Sequence, residues 1–249
     1  MRSRHIKWFL TGNLLLLILA LWRGDALPRP AELQPALLDE PVQVQVQKAA
    51  FKAVSGGVSY TVQPLYEYEL SGLVVSKHDT DTWWDYIHRE WNDRLNMVDL
   101  CVVWGNNVRS GAYADIEFSS GQFTCNFSTH SNAAFAAFDQ TAISNNHLLT
   151  DNPQIARAMS SVRIGDQIHF RGHLAEYSHN EGFPFKRGTS ITRTDTGNGA
   201  CETVFVDSFE ILKVGRKPWR ILAWLASLML AAGVVAWFAR PATIERSDD

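Results

Sequence analysis

Cysteine is scarce: three in 249 residues, Cys101, Cys125 and Cys201. No two of them stand at the C-x2-C spacing of a structural zinc site, and an odd count allows at most one internal disulfide. The fold therefore rests on its apolar core, for which the 46% apolar content is sufficient. Basic residues are sparse in the middle of the chain. Between Gly24 and Lys213 there are 14 Lys and Arg against 23 Asp and Glu, a balance of −9, while the two ends carry 9 against 3, or +6. An acidic middle with no basic stripe argues against nucleic acid as a partner. Basic ends suit contact with anionic lipid head groups. Also missing are G-x-S-x-G, a P-loop and H-E-x-x-H, so the common short signatures of serine hydrolases, nucleotide-binding proteins and zinc proteases do not apply.

Two hydrophobic segments are present, one near each end. The first follows Arg2, Arg4 and Lys7 and runs from Trp8 to Trp22, interrupted by Thr11, Gly12 and Asn13. A basic start before about 15 apolar residues reads as a signal anchor or a signal peptide over residues 1–23. The second is uncharged from Ile221 to Phe238 and is flanked by Trp219, Trp237, Arg220 and Arg240. Eighteen residues at about 1.5 Å each cover roughly 27 Å, so residues 219–239 are predicted to be a transmembrane helix followed by a polar tail at 240–249. The lipid bilayer is thus an expected partner. The N-terminal charges favour a domain outside the cytoplasm, although Lys213, Arg216, Lys217 and Arg220 pull the other way.

Between the segments, residues 24–57 hold Pro28, Pro30, Pro35 and Pro41 and read as a linker, with Val42–Val46 alternating like an edge strand. Residues 58–213 form the predicted β domain. Strands are expected at Tyr66–Ser76, Asp99–Trp104, Asp115–Phe127 (interrupted at Ser119-Ser120-Gly121), Gln167–Tyr177 and Thr203–Leu212. Gly72 and Gly172 fall inside strands, where they permit bending. Asp81 is expected to cap a helix over Thr82–Leu95, in which Trp84, Ile87, Trp91 and Leu95 recur at helical spacing. A short helix is read at Ala133–Phe138, and another, capped by Asp151, from Pro153 to about Ser160. This order predicts a mainly β fold, an OB-like five-stranded barrel with a helix between its third and fourth strands; a β-sandwich is the alternative.

Asp99-Leu100 leading to Trp104-Gly105, Ser144-Asn-Asn-His147, Val162–Gly172 and Ser190-x-Thr-Arg-x-Asp-Thr-Gly-Asn-Gly-Ala-Cys-Glu202 occur in one order along the chain. In these motifs it resembles a group of uncharacterised bacterial membrane-anchored proteins. The resemblance implies a location at the bacterial inner membrane, and no reaction. The second hydrophobic segment is not part of that pattern.

Ser190–Glu202 is compositionally the most unusual stretch. Asp195, Gly197, Asn198 and Gly199 offer oxygen ligands in a tight turn, but the spacing does not match an EF-hand, and Asp and Asn beside Gly are common turn formers. Ser144–His147 reads as a joint between two short helices, with His147 in a structural role. His169 and His173, about 13 Å apart along a strand, are too distant to share an ion. Cys201 with His147, or Cys125 with His130, would be the pairs to examine for a nucleophile; Cys101 and Cys125 are instead expected to be buried or joined to each other. No metal and no cofactor are expected. A non-catalytic envelope protein binding another envelope protein or a glycan is the leading expectation. An envelope hydrolase with its site in the 144–147 and 190–202 loops, around His147 and Asp195, is the rival; His147, Arg193, Asp195 and Asn198 are the candidate ligand-binding residues.

Overall fold

The computed structural model describes residues 2–195 and 201–239. Helix α1 (Arg2–Gly24) opens the chain and is followed by 3-10 turns at Pro30–Glu32 and Pro35–Leu38. Strands β1 (Val42–Gln45), β2 (Phe51–Ser55) and the long β3 (Val58–Asp79) come next, then one turn of helix, α2 (Ile87–Glu90). Strand β4 (Asn96–Val103) leads through α3 (Gly105–Ser110) into a hairpin of β5 (Glu117–Gly121) and β6 (Thr124–Ser128). After α4 (Asn132–Ala137), β7 (Ile143–Leu149) and α5 (Pro153–Ser160) come β8 (Gln167–His179), β9 (Phe185–Arg187) and β10 (Cys201–Lys213). Helix α6 spans Lys217–Phe238.

The chain divides into two compact units, one made from its two ends and one from Leu27–Gly215. In the first, α1 and α6 are both long and apolar enough to cross a membrane. They lie antiparallel, with Lys7 over the Trp237 ring and Arg23 over the Trp219 ring. Gly233 lets them approach, since a Cβ there would fall 2.7 Å from Leu10 Cδ2. Asn13, polar inside α1, donates one of its amide N–H groups to the Phe9 carbonyl at 2.9 Å, within the helix.

The second unit is mainly β. Five strands pair in the order β3–β4–β7–β10–β8, and β8 pairs back onto β3, closing a ring. Every contact in the ring is antiparallel except that between β7 and β10, which runs from Asn145 opposite Cys201 to Leu149 opposite Phe205. Alternating residues of all five strands meet inside: Leu70 and Val74, Val98, Leu100 and Val102, Leu148, Phe170 and Val204 share one buried cluster. Met159 and Val162, from α5 and the turn after it, join the same cluster. The ring can bend tightly because glycine stands at its close approaches. A Cβ on Gly172 would lie 2.0 Å from the Phe205 carbonyl oxygen on β10. Backbone cannot yield there as a flexible side chain could, so Gly172→Ala is expected to destabilise the domain by about 1–3 kcal/mol or more. A urea midpoint unchanged from wild type would contradict this reading.

Several expectations need correction. The segment expected as the third strand, 115–127, is the β5–β6 hairpin, a two-stranded sheet of its own outside the ring. The third ring strand is β7, over the Ser144–His147 stretch read as a joint. Its polar run resembles a turn in sequence, yet Asn146 Nδ2 donates to Ser144 Oγ at 2.8 Å and His147 pairs with Asp99, so the sheet accommodates both. The helix expected over 82–95 shrinks to α2. It stops because Asn92 adopts a left-handed φ of 53°. The cap of α5 is Asn152, whose Oδ1 accepts the Gln154 N–H at 2.8 Å, and not Asp151. Much of the stretch read as a linker packs on the domain: Leu37 is fully buried, and β1 and β2 both pair with β3.

Candidate functional site

Alternation along β4 sends Val98, Leu100 and Val102 into the ring and leaves Asp99 outside, on the same side as Cys101. In β7 it sends Leu148 inward and His147 outward. Asp99 and His147 are partners in register, so their side chains face each other directly, and His147 Nδ1 donates to Asp99 Oδ1 at 2.6 Å. Both are completely buried.

From this pair a continuous network extends in two directions. Arg187, on β9, donates to His147 Nε2 at 2.6 Å, which fixes the remaining proton of the ring on Nδ1. Asn96 Nδ2 donates to Asp99 Oδ1 at 2.8 Å and to His88 Nε2 at 3.1 Å. His88 must then carry its proton on Nδ1, which lies 2.6 Å from Asp85 Oδ2. The same oxygen receives His78 Nε2 at 2.7 Å, and Asp85 Oδ1 accepts the His88 backbone N–H at 3.1 Å. Each donor thus meets an acceptor along the path from Arg187 to His78. Among the described residues, His78 Nδ1 and Asn96 Oδ1 are buried without a partner.

The tip of the β5–β6 hairpin covers the network. Phe123 donates its backbone N–H to Asp99 Oδ2 at 3.2 Å, and its carbonyl accepts the Cys201 thiol at 3.6 Å. Its ring lies 4.0 Å below the Arg187 guanidinium, 4.1 Å from the His88 ring, and 5.5 Å from both Trp91 and His147. Phe123 is held at φ 61°, a left-handed conformation that non-glycine residues rarely adopt.

Burial opposes ionisation of Asp99, but His147 and the Asn96 amide outweigh it and hold the carboxyl at about 2. Burial pushes the His147 imidazole down, against the pull of Asp99. The pair is therefore an ionised carboxylate beside a neutral ring. Nearby, burial raises Asp93, which accepts the Tyr177 hydroxyl at 2.5 Å. Burial likewise pushes the Cys201 thiol up.

His78, Asp85 and His88 place three ligand-type atoms within 4.8 Å of one another, a set able to receive a metal ion. Hydrogen bonds of 2.6 and 2.7 Å hold the same atoms together through protons, closer than the roughly 3.3 Å between neighbouring ligands of a tetrahedral zinc at about 2.0 Å. The donation from Asn96 to His88 Nε2 requires that protonated arrangement.

The residues singled out in the sequence do not converge. Glu202 lies opposite Asn146 in the β7–β10 register, so the two point into the ring, while His147 points out. Arg193 pairs with Glu202 and lies over the rings of Tyr68 and Trp104. Glu202 is buried, which raises its pKa to about 7 against the opposing pull of Arg193, and its Oε2 has no partner among the described residues. Asp195 is an exposed turn residue whose carboxylate accepts the hydroxyls of Thr192 and Ser190, which lower its pKa. Asn198 lies outside the described residues. Cys101 and Cys125 form a disulfide with Cα atoms 5.7 Å apart, and Cys201 is free.

Sequence reading missed His78, Asp85, His88, Asn96, Phe123 and Arg187 as a group. Five of the six lie in loops or at strand ends. The available signal was Asp99 inside a strand that is otherwise apolar after it, since a buried carboxylate requires donors from elsewhere. No protein-family model matches the chain, and neither a curated protein nor a solved structure matches it significantly.

Proposed function

We propose that this is a membrane-anchored protein of the bacterial envelope whose β domain is an OB-like, non-catalytic module for binding or assembly. The observation that carries the reading is the ring itself. Its order is first, second, third, fifth, fourth, with the third and fifth strands parallel and α5 between the third and fourth. OB domains use the face of their second and third strands, with the loops after the first and fourth, to bind ligands. Here those are β4 and β7 with the described segments 80–95 and 180–195. The loops display Trp83, Tyr86 and Phe183 at 84%, 62% and 63% exposure, unusual for large aromatics and suited to a protein or glycan partner.

A non-catalytic role is supported by the occupancy of His147. Its Nε2 is taken by Arg187, so no lone pair remains to accept a substrate proton. A hydrolase built from His147, Arg193 and Asp195 would need these groups on one side of the sheet, and they lie on two. The Cys101–Cys125 disulfide favours a domain outside the cytoplasm. The antiparallel packing of α1 on α6 supports α1 as a retained anchor.

Photo-crosslinking residues placed at 83, 86 and 183 in living cells test the reading. Crosslinks to a defined envelope protein or glycan, absent when the probe is at Lys52, are the expected result. No crosslink from any loop position, together with a His147→Gln chain that is stable and abundant yet inactive in vivo, would point to an enzyme instead.

A further inference from the structure

We propose that the β5–β6 hairpin is a tethered lid, latched by the Cys101–Cys125 disulfide, which a dithiol reductant releases to uncover Cys201 and His147. Among the described residues the hairpin strands pair only with each other, and half of their residues are exposed. It is fastened at three kinds of point. Cys125 of β6 is bonded to Cys101 on β4. Ser120 meets Ser76 of β3 at 2.6 Å, and Gln122 donates to the Trp84 carbonyl at 3.1 Å. Phe118 and Phe127 rest on Phe138.

The tip is loaded against this latch. Gly121 and Thr124 are paired, so Gln122 and Phe123 form a two-residue turn. The second position of such a turn, at positive φ, ordinarily falls to Gly or Asn. A phenylalanine there is strained and stays only because its surroundings over-determine it. Those surroundings are the ring cage of Arg187, His88, Trp91 and His147, and the two backbone bonds to Asp99 and Cys201. Removing the covalent tether leaves the hairpin held by these contacts, by the Ser120–Ser76 and Gln122–Trp84 hydrogen bonds and by the packing of Phe118 and Phe127.

Release is a two-electron exchange. The dithiol attacks the Cys101–Cys125 bond, which breaks to give two cysteine thiols, and the reductant becomes its own disulfide. The inference does not depend on what the domain binds, because it concerns only how the face of β4 and β7 is covered.

The full-length chain in detergent provides the test, with Cys201 as the reporter beneath the Phe123 carbonyl. Alkylation of Cys201 by N-ethylmaleimide, followed by peptide mass spectrometry, is compared in three samples. These are the oxidised chain, the chain reduced by dithiothreitol and desalted, and the Cys101→Ala/Cys125→Ala chain. At least a tenfold faster reaction is expected in the second and third, with the amides of β4, β7 and β10 still protected from hydrogen exchange. Cys201 reacting at the oxidised rate in both would overturn the proposal. Faster reaction accompanied by loss of protection in those strands would also overturn it, since the domain would then be unfolding as a whole.

Discussion

Asp99→Ala is expected to cost about 3 kcal/mol of stability or more, because several buried donors lose their acceptor at about 1–3 kcal/mol each. The carboxylate receives three donors: His147 Nδ1, Asn96 Nδ2 and the Phe123 backbone N–H. Truncation leaves all three without an acceptor in a site that water does not reach. It also leaves the Arg187 guanidinium beside a ring that has lost its orientation. His147→Ala should cost less, because Asp99 keeps two of its donors. The double variant should be more stable than the two separate losses predict, as the orphaned imidazole is then absent. Urea unfolding of the detergent-solubilised chains measures all three, and an Asp99→Ala loss below about 1 kcal/mol would show that the network is solvated.

Glu202→Gln carries the second large expectation, and it is read across pH. The folded carboxyl is raised by burial to about 7, against 4.5 for the free group. Between those values the folded chain keeps a proton that the unfolded chain has released. The contribution is therefore fully present below about pH 4.5 and is lost as pH rises through 7. Relative to Glu202→Gln, the wild-type chain should lose roughly 3 kcal/mol between about pH 4 and pH 8. His147 works in the opposite direction, its depressed pKa removing stability as pH falls below 6.5. That term is common to both chains and cancels in the difference. Stability curves that run parallel across the range would mean Glu202 is ionised at neutral pH, with Arg193 prevailing over burial.

Sequence periodicity revealed most of the ring and little of the site, for physical reasons. β4, β8 and β10 carry apolar runs or regular alternation, and they form close to where those patterns lie. β7 lacks such a pattern because two of its residues satisfy side chains across the sheet. Ser144, Asn146 and His147 look like turn chemistry until Asp99 and the ring interior are in place. The hairpin carried a strand pattern but no information about whether it joined the ring. Asp85 and His88 fell on a helical spacing of aromatics, and the carboxylate's bonds to two imidazoles override it. Phe123 gave no signal at all, since a left-handed phenylalanine is set by the cage around it and not by its neighbours in the chain.

The ring has one further consequence, which concerns the order in which the protein is made. Its parallel seam needs β10, and β10 is separated from α6 by only Val214, Gly215 and Arg216. Until that last strand leaves the ribosome, β7 and β8 each present an unpaired edge, the feature most prone to adhere to other chains. The domain thus completes itself in the same short interval of synthesis in which its second hydrophobic helix emerges. Translation that stops between residues 180 and 200 yields a chain with nearly all of its core residues and an open seam, a substrate for aggregation or proteolysis.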